Sequence, residues 1–214
     1  MAKRSSAFSS LGPAGLCIAL SLLSAPAAAQ TFAGSELVAA TAAELAMMIE
    51  TRRAEFEEDP YALYALVDSL LLPRFDMQRG SRSILAQHWE STTAADRNRF
   101  VDAFYNYLVA AYGTALLHFK HETLRVLPFE GDADTSQVRV KTILTMNDGT
   151  QVDVDFVMLS TPDGWKVVDV VAEGVSYVKT YRSQFSVDIA TEGLNSVLEW
   201  LEQKGAPRFA ASRP

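Results

Sequence analysis

The side chains of this chain that could carry chemistry are few. His118 and His121 stand three residues apart, a spacing that helical metal ligands can use. A zinc site needs three or four ligands, but the single cysteine, Cys17, lies near the amino terminus and no third histidine is close in sequence. The chain has no Gly-rich phosphate loop and no G-x-S-x-G or H-E-x-x-H motif. We therefore predict no metal site, no cofactor and no catalytic residue, and we interpret both histidines as surface or helix-end residues.

Asp169 is the acidic residue with the most unusual predicted surroundings, because it falls on the apolar face of a predicted strand. A carboxylate in such a place needs a partner. Arg182, on the helix that follows, is the candidate, and we predict a structural ion pair between the two that fixes the helix against the sheet. Two alternatives remain open: Asp169 could contact the head group of a ligand, or act as a catalytic base in an apolar pocket.

The elements that position these residues follow from hydrophobic periodicity. The predicted helices cover about residues 36–57, 61–72, 76–89, 93–120, 176–189 and 192–204. Pro60 and Pro73 separate the first three, since the residue before proline disfavours the helical conformation. The long helix opens at Thr93 and is apolar nearly all round from Ala103 onward, so other elements must cover it on most sides.

The segment between the long helix and residue 176 is predicted to form four strands, at about residues 123–129, 137–146, 151–159 and 164–171. Tight-turn sequences join the last three, so we expect antiparallel pairing. The expected neighbours across the strands are Val140 with Phe156, Lys141 with Asp155, Trp165 with Met158, Val167 with Phe156, and Asp169 with Val154. This register collects the apolar residues on one face. The fold class is therefore α+β, with a four-stranded antiparallel sheet packed by helices on its apolar face.

The first 29 residues have the pattern of a cleaved signal peptide. Lys3 and Arg4 precede an apolar stretch at 11–23, and Ala27-Ala28-Ala29 forms an A-x-A site before Gln30. We predict a signal peptide at 1–29, one domain at 30–206 and a loose tail at 207–214. Cleavage would leave 17 basic against 26 acidic residues. An acidic chain of this kind is unsuited to nucleic acid, whose affinity comes mostly from Lys and Arg on phosphates.

A longer motif closes the predicted sheet. It comprises Trp165, Lys166, Asp169, Val170, Gly174, Val175 and Ser176, followed by Tyr181, Arg182, Ser183, Gln184 and Phe185. Further upstream come Phe75-Asp76, His88-Trp89, Arg97, Phe100, Phe104 and Tyr112 in a matching order. The stretch from residue 61 to 204 resembles the toluene-tolerance family, which comprises the MlaC-like periplasmic phospholipid carriers.

This resemblance implies a cone of the NTF2-like or cystatin-like type, with an apolar cavity left open between a curved sheet and helices. It implies a periplasmic protein that binds the acyl chains of a phospholipid. Its partners would be an outer-membrane lipoprotein complex and the lipid-binding subunit of an inner-membrane ABC transporter. The lipid-binding residues implied are Phe104, Leu108, Tyr112, Val140, Val152, Val154, Phe156, Trp165, Val167, Tyr177, Tyr181 and Phe185.

Three alternatives stand beside the phospholipid carrier. The chain could be an exported NTF2-like enzyme that acts on an apolar substrate with Asp169 as base. It could be an interaction module whose aromatic residues simply fill a core. It could also be a lipid-binding relative associated with hopanoids.

Overall fold

The computed structural model shows an α+β fold, and it describes residues 32–118, 123–132, 134–146 and 148–205. The predicted signal peptide and tail, together with Cys17 and His121, lie outside the described residues. The helices are α1 (Ala33–Thr51), α2 (Arg53–Glu58), α3 (Pro60–Leu66), α4 (Met77–Leu85), α5 (Ala94–Tyr112), α6 (Tyr177–Glu192) and α7 (Leu194–Lys204). The strands are β1 (Leu124–Val126), β2 (Gln137–Val140), β3 (Thr142–Thr145), β4 (Gln151–Thr161), β5 (Gly164–Ala172) and β6 (Val175–Ser176).

Side-chain hydrogen bonds cap the starts of three helices, α4, α5 and α6. Asp76 accepts a hydrogen bond from the Arg79 amide at 2.9 Å and caps α4. Thr93 accepts one from the Asp96 amide at 3.1 Å and caps α5, and Ser176 accepts one from the Lys179 amide at 3.0 Å and caps α6. Each cap satisfies an amide that would otherwise lack a partner. Asp76 and Thr93 thus stand at the starts of α4 and α5, where the sequence predicts these two helices to begin.

The long helix ends sooner than its periodicity predicts. α5 stops at Tyr112, and residues Gly113–His118 continue as a 3₁₀ helix. Gly113 lies so close to α3 that an added Cβ would sit 3.0 Å from the Tyr64 ring. The guanidinium of Arg53 donates to the Leu117 carbonyl and holds the 3₁₀ turn in place. Packing against α2 and α3 therefore ends the regular helix.

The sheet is a meander in which β1, β3, β4, β5 and β6 are neighbours in that order, with β2 also paired to β4. β2 and β3 are two halves of the predicted second strand, interrupted at Lys141. The Thr142 hydroxyl bonds the Val154 carbonyl at the break. The predicted pairing of Val140 with Phe156 is confirmed. The register is the same on both sides of the break, so Lys141 lies opposite Asp155 as expected. Their charges have other partners, however: the Lys141 ammonium lies 3.5 Å from Glu130, and Asp155 pairs with Arg139 at 3.4 Å.

The pairing of β4 with β5 corrects the predicted register. The turn contains two residues rather than four, because the Thr161 hydroxyl accepts from the Asp163 amide at 3.2 Å and bonds the Gly164 carbonyl at 2.7 Å. The strands therefore begin to pair at Thr161 and Gly164. The observed neighbours are Trp165 with Ser160, Val167 with Met158, and, beyond a β-bulge, Asp169 with Val157.

Two groups of helices cover the apolar face of the sheet. The start of α1, with Phe32 and Val38, packs on Val138, Val140, Met158 and Val167. A second cluster joins α4, α5, α6 and α7 around Phe100, Phe185 and Leu198. Between these two packed regions a gap remains between the sheet and the helices, and this gap is a cavity.

Candidate functional site

A cavity of about 530 Å³ lies between the sheet and the helices. Its volume is within the range of pockets that hold small organic ligands. The aliphatic and aromatic members of its wall are Val67, Leu71, Leu72, Phe75, Met77, Ile84, Phe104, Tyr105, Leu108, Val109, Tyr112, Ala115, Leu116, Leu144, Met146, Val154, Val167, Val168, Val170, Tyr177, Val178 and Tyr181. Such a wall favours hydrocarbon over water.

Exposure distinguishes the mouth of this cavity from its closed end. Tyr112 and Met146 are 44% and 49% exposed although both line the cavity, and His118, which also lines it, is exposed as well. Ile84 and Phe104, by contrast, are buried. A ligand would therefore enter past Tyr112 and Met146 and reach toward Ile84 and Phe104.

Seven of the twelve residues predicted to bind lipid line this cavity. They are Phe104, Leu108, Tyr112, Val154, Val167, Tyr177 and Tyr181. They come from α5, β4, β5 and α6, so the two sides of the predicted site do face each other.

The other five predicted residues lie outside the cavity wall, which is a correction. Val140, Phe156 and Trp165 belong to the packed region beneath α1, where Trp165 meets the Phe32 ring at 5.0 Å. Phe185 is 1% exposed and lies in the core between α5 and α7. Val152 is half-buried and paired with Leu144. Strand alternation identified the correct face but not the part of it that α1 covers.

One wall of the cavity, formed by the chain between α3 and α4, was not predicted from the sequence. The run Leu70-Leu71-Leu72 before Pro73 is an apolar signal for it. Two hydrogen bonds hold this wall against β5. The Asp76 amide donates to the Val167 carbonyl at 2.9 Å, and the Lys166 ammonium donates to the Pro73 carbonyl at 2.6 Å. Phe75-Asp76 and Trp165-Lys166, two separate parts of the sequence motif, thus meet at one place.

Asp169 also lines the cavity, but its carboxylate does not pair with Arg182. One oxygen accepts from the Ser176 hydroxyl at 2.5 Å and the other from the Val178 amide at 3.0 Å. The Arg182 guanidinium instead donates to the Ser83 carbonyl of α4 at 2.6 Å. The predicted ion pair is therefore absent. The start of α6 already supplies two donors to the Asp169 carboxylate, and a carboxylate is stabilised at a helix start.

Because both oxygens of Asp169 hold the start of α6, we expect Asp169→Asn to destabilise the fold. The amide cannot accept from both donors, and hydrogen bonds to a charged group contribute about 1.5–3 kcal/mol each. We expect a loss of about 1–3 kcal/mol in the free energy of unfolding, with ligand content per folded molecule retained. Urea unfolding measures this loss, and Asp163→Asn in the exposed turn is the matched control. A stable Asp169→Asn protein would contradict the structural role.

Two tyrosines on the cavity wall carry neutral hydroxyl groups. Burial raises the pKa of Tyr177 and of Tyr181, and the neighbouring Tyr112 hydroxyl raises the pKa of both further. The Tyr112 and Tyr181 hydroxyls lie 3.2 Å apart. At neutral pH this side of the cavity therefore offers hydrogen bonds without charge.

Within 32–118, 123–132, 134–146 and 148–205, no three His, Cys, Asp or Glu side chains cluster as metal ligands would. In the same ranges, no helix has the length and apolar character needed to cross a bilayer.

Comparison with known proteins identifies relatives over most of the chain. The family model described as MlaC protein matches residues 39–203. The toluene tolerance protein ttg2D of Pseudomonas putida is 28% identical over 152 residues, which are 71% of this chain and 70% of the relative. The intermembrane phospholipid transport system binding protein MlaC of Haemophilus influenzae is 22% identical over 162 residues, or 74% of this chain and 75% of the relative.

A solved structure has the same fold. It is the phospholipid-binding protein from Ralstonia solanacearum, determined in complex with a phospholipid. Its TM-score to this chain is 0.74 at 24% identity, and the match covers 79% of this chain and 95% of that one. The predicted arrangement of helices on an antiparallel sheet is therefore confirmed, and the described part of the chain contains six strand segments in place of the expected four.

Proposed function

The chain belongs to the MlaC family, and from this membership we propose that it is a periplasmic carrier that holds the acyl chains of a phospholipid in the cavity. The cavity itself is the observation that carries the proposal. It is apolar, open at one end and placed where sheet and helices would otherwise pack. The named relatives are a phospholipid transport binding protein and a toluene tolerance protein rather than enzymes.

The energetics of such a site suit a carrier. Burying each CH₂ group is worth about 0.8 kcal/mol, so two long acyl chains of about 30 such groups gain on the order of 25 kcal/mol relative to water. A bilayer offers a similar gain. A cavity about as apolar as the membrane therefore exchanges lipid with a membrane, while lipid does not escape into water.

The orientation of the bound lipid follows from the two ends of the cavity. Acyl chains would extend toward Ile84 and Phe104, where the wall is buried. The head group would remain at the mouth beside Tyr112 and His118, where water reaches it. This arrangement needs no catalytic group and no nucleotide, so the energy for transport would come from a partner.

Two further parts of the proposal concern location and partners. The chain would act between an outer-membrane lipoprotein complex and the lipid-binding subunit of an inner-membrane ABC transporter, as its family membership suggests. It would reach the periplasm through the signal peptide at 1–29. We expect the exported form to begin at Gln30, and its intact mass measures this directly. An uncleaved chain held in the membrane would contradict the proposed localisation.

Transfer of lipid between vesicles tests the proposed function. Delipidated protein is mixed with donor vesicles that contain a fluorescent phosphatidylethanolamine, and the protein fraction is then separated and added to unlabelled vesicles. A carrier takes up the label and releases it to the acceptor vesicles. The same protocol with a labelled hopanoid tests that alternative ligand. Protein that takes up neither lipid would support an interaction module instead.

A further inference from the structure

Four tyrosines of α5 and α6 form a connected cluster at the cavity wall: Tyr107, Tyr112, Tyr177 and Tyr181. The Tyr112 and Tyr181 hydroxyls lie 3.2 Å apart. Tyr107 lies beside Tyr181, and Tyr177 lies beside Tyr112. Their rings pack edge to face, at 5.9 Å between Tyr107 and Tyr181 and 5.8 Å between Tyr112 and Tyr177. The rings are thus neighbours in the order Tyr107, Tyr181, Tyr112, Tyr177.

The hydroxyls on the cavity side of this cluster can offer a hydrogen bond. Each phenol has one O–H donor, so the bond between Tyr112 and Tyr181 leaves one donor of that pair unused. Tyr177 adds a third hydroxyl on the cavity wall, next to Tyr112. A lipid that fills the mouth would take water away from these donors, and a donor left without an acceptor is costly, so an acceptor on the lipid would be favoured there.

The two ends of the tyrosine cluster differ in their access to the cavity. At one end, Tyr107 packs on the Trp200 ring at 5.0 Å and does not line the cavity. At the other end, Tyr177 lines the cavity next to Tyr112 at the mouth. An acceptor inside the cavity therefore meets Tyr177 and Tyr112 rather than Tyr107.

The charges around the cavity indicate what kind of acceptor fits. The described lining residues include two carboxylates, Asp76 and Asp169, and neither lysine nor arginine. An anionic phosphate would gain no ion pair from them, whereas a neutral carbonyl oxygen needs none. In a diacyl lipid whose chains point toward Ile84 and Phe104, the ester groups come near the mouth, at the level of Tyr112.

We propose that Tyr177, supported by Tyr112, donates a hydrogen bond to an acyl ester carbonyl of the bound lipid. This rests on the proposed function, because it names the atoms by which the carried lipid is positioned. The site thereby distinguishes ester-linked lipids from those with the same chains but no carbonyl.

Two phosphatidylcholines with identical head group and chain length, one ester-linked and one ether-linked, test this. Each displaces a fluorescent lipid from the purified exported protein, and the two affinities are compared. We expect the ester lipid to bind about three- to tenfold more tightly, the ratio that one hydrogen bond supports. Tyr177→Phe should reduce this ratio, and Tyr112→Phe with Tyr177→Phe should bring it to about one. Tyr107→Phe, at the far end of the cluster, should leave it unchanged.

The outcomes separate this inference from the proposed function. Equal affinities of the unmodified protein for the two lipids would overturn the ester contact, and would point to the phosphate or the chains alone, while the carrier function stands. An ester preference that survives in the folded double variant would also overturn it. Failure to bind either lipid would overturn the proposed function itself. If the double variant does not fold, Tyr177→Phe and the unmodified protein still decide the question.

Discussion

Val154→Trp is expected to remove bound lipid while the protein stays folded. Val154 is half-buried, lies mid-strand in β4 and lines the cavity. An indole at this position projects into space that the acyl chains would occupy, so it fills the cavity without displacing packed side chains. We expect the thermal midpoint to stay level or rise, and the lipid content of the purified protein to fall to a small fraction. Both quantities are measured on the same preparation.

Val140→Trp is the matched control, because Val140 shares the apolar face but lies beneath α1 at 1% exposure. There the larger side chain has no space, and overpacking a core costs about 1–3 kcal/mol. For a chain of this length that cost lowers the midpoint by several degrees. If Val154→Trp destabilises the protein as much as Val140→Trp does, the described cavity is in fact packed, and the carrier account fails.

Phe185→Ala is expected to give the largest loss of stability among these variants. Phe185 is 1% exposed and its ring meets Phe100 at 5.9 Å and Trp200 at 6.3 Å. Truncating a buried phenylalanine costs about 3–5 kcal/mol. Urea unfolding gives this value, and lipid per folded molecule should remain unchanged because Phe185 does not line the cavity.

Leu108→Ala provides the comparison on the cavity side. Leu108 is half-buried and lines the cavity, so its truncation enlarges an existing space rather than creating a new void. We expect a smaller loss of stability than at Phe185, with weaker lipid retention. The opposite result, lipid lost in Phe185→Ala and kept in Leu108→Ala, would show that the site had been assigned to the wrong side of α6.

The difference between Tyr181 and Phe185 shows how far the sequence predicts the site. The two residues are one helical turn apart on α6, and both were predicted to bind lipid. Tyr181 lines the cavity, whereas Phe185 packs against α7. The apolar pattern of α6 is the same at both residues. Only the position of α7 decides that Phe185 is a core residue while Tyr181 remains in the cavity wall.

The strand registers give a second example. The pairing of Val140 with Phe156 was predictable, because a three-residue loop and the alternation of apolar residues agree on one register. The pairing of β4 with β5 was not, because the Thr161 hydroxyl tightens the turn and a bulge lies beyond it. Both depend on hydrogen bonds that the apolar pattern does not encode. The placement of α1 over one end of the sheet is likewise a tertiary effect.

The most direct test of the carrier account is the lipid content of the exported protein itself. Protein isolated from the periplasm without detergent is extracted with organic solvent, and the extract and the intact complex are analysed by mass spectrometry. The account predicts a diacyl glycerophospholipid in stoichiometric amount, lost in Val154→Trp and retained in Asp163→Asn. Protein that arrives without lipid, and that gains none from phospholipid vesicles after delipidation, would contradict it.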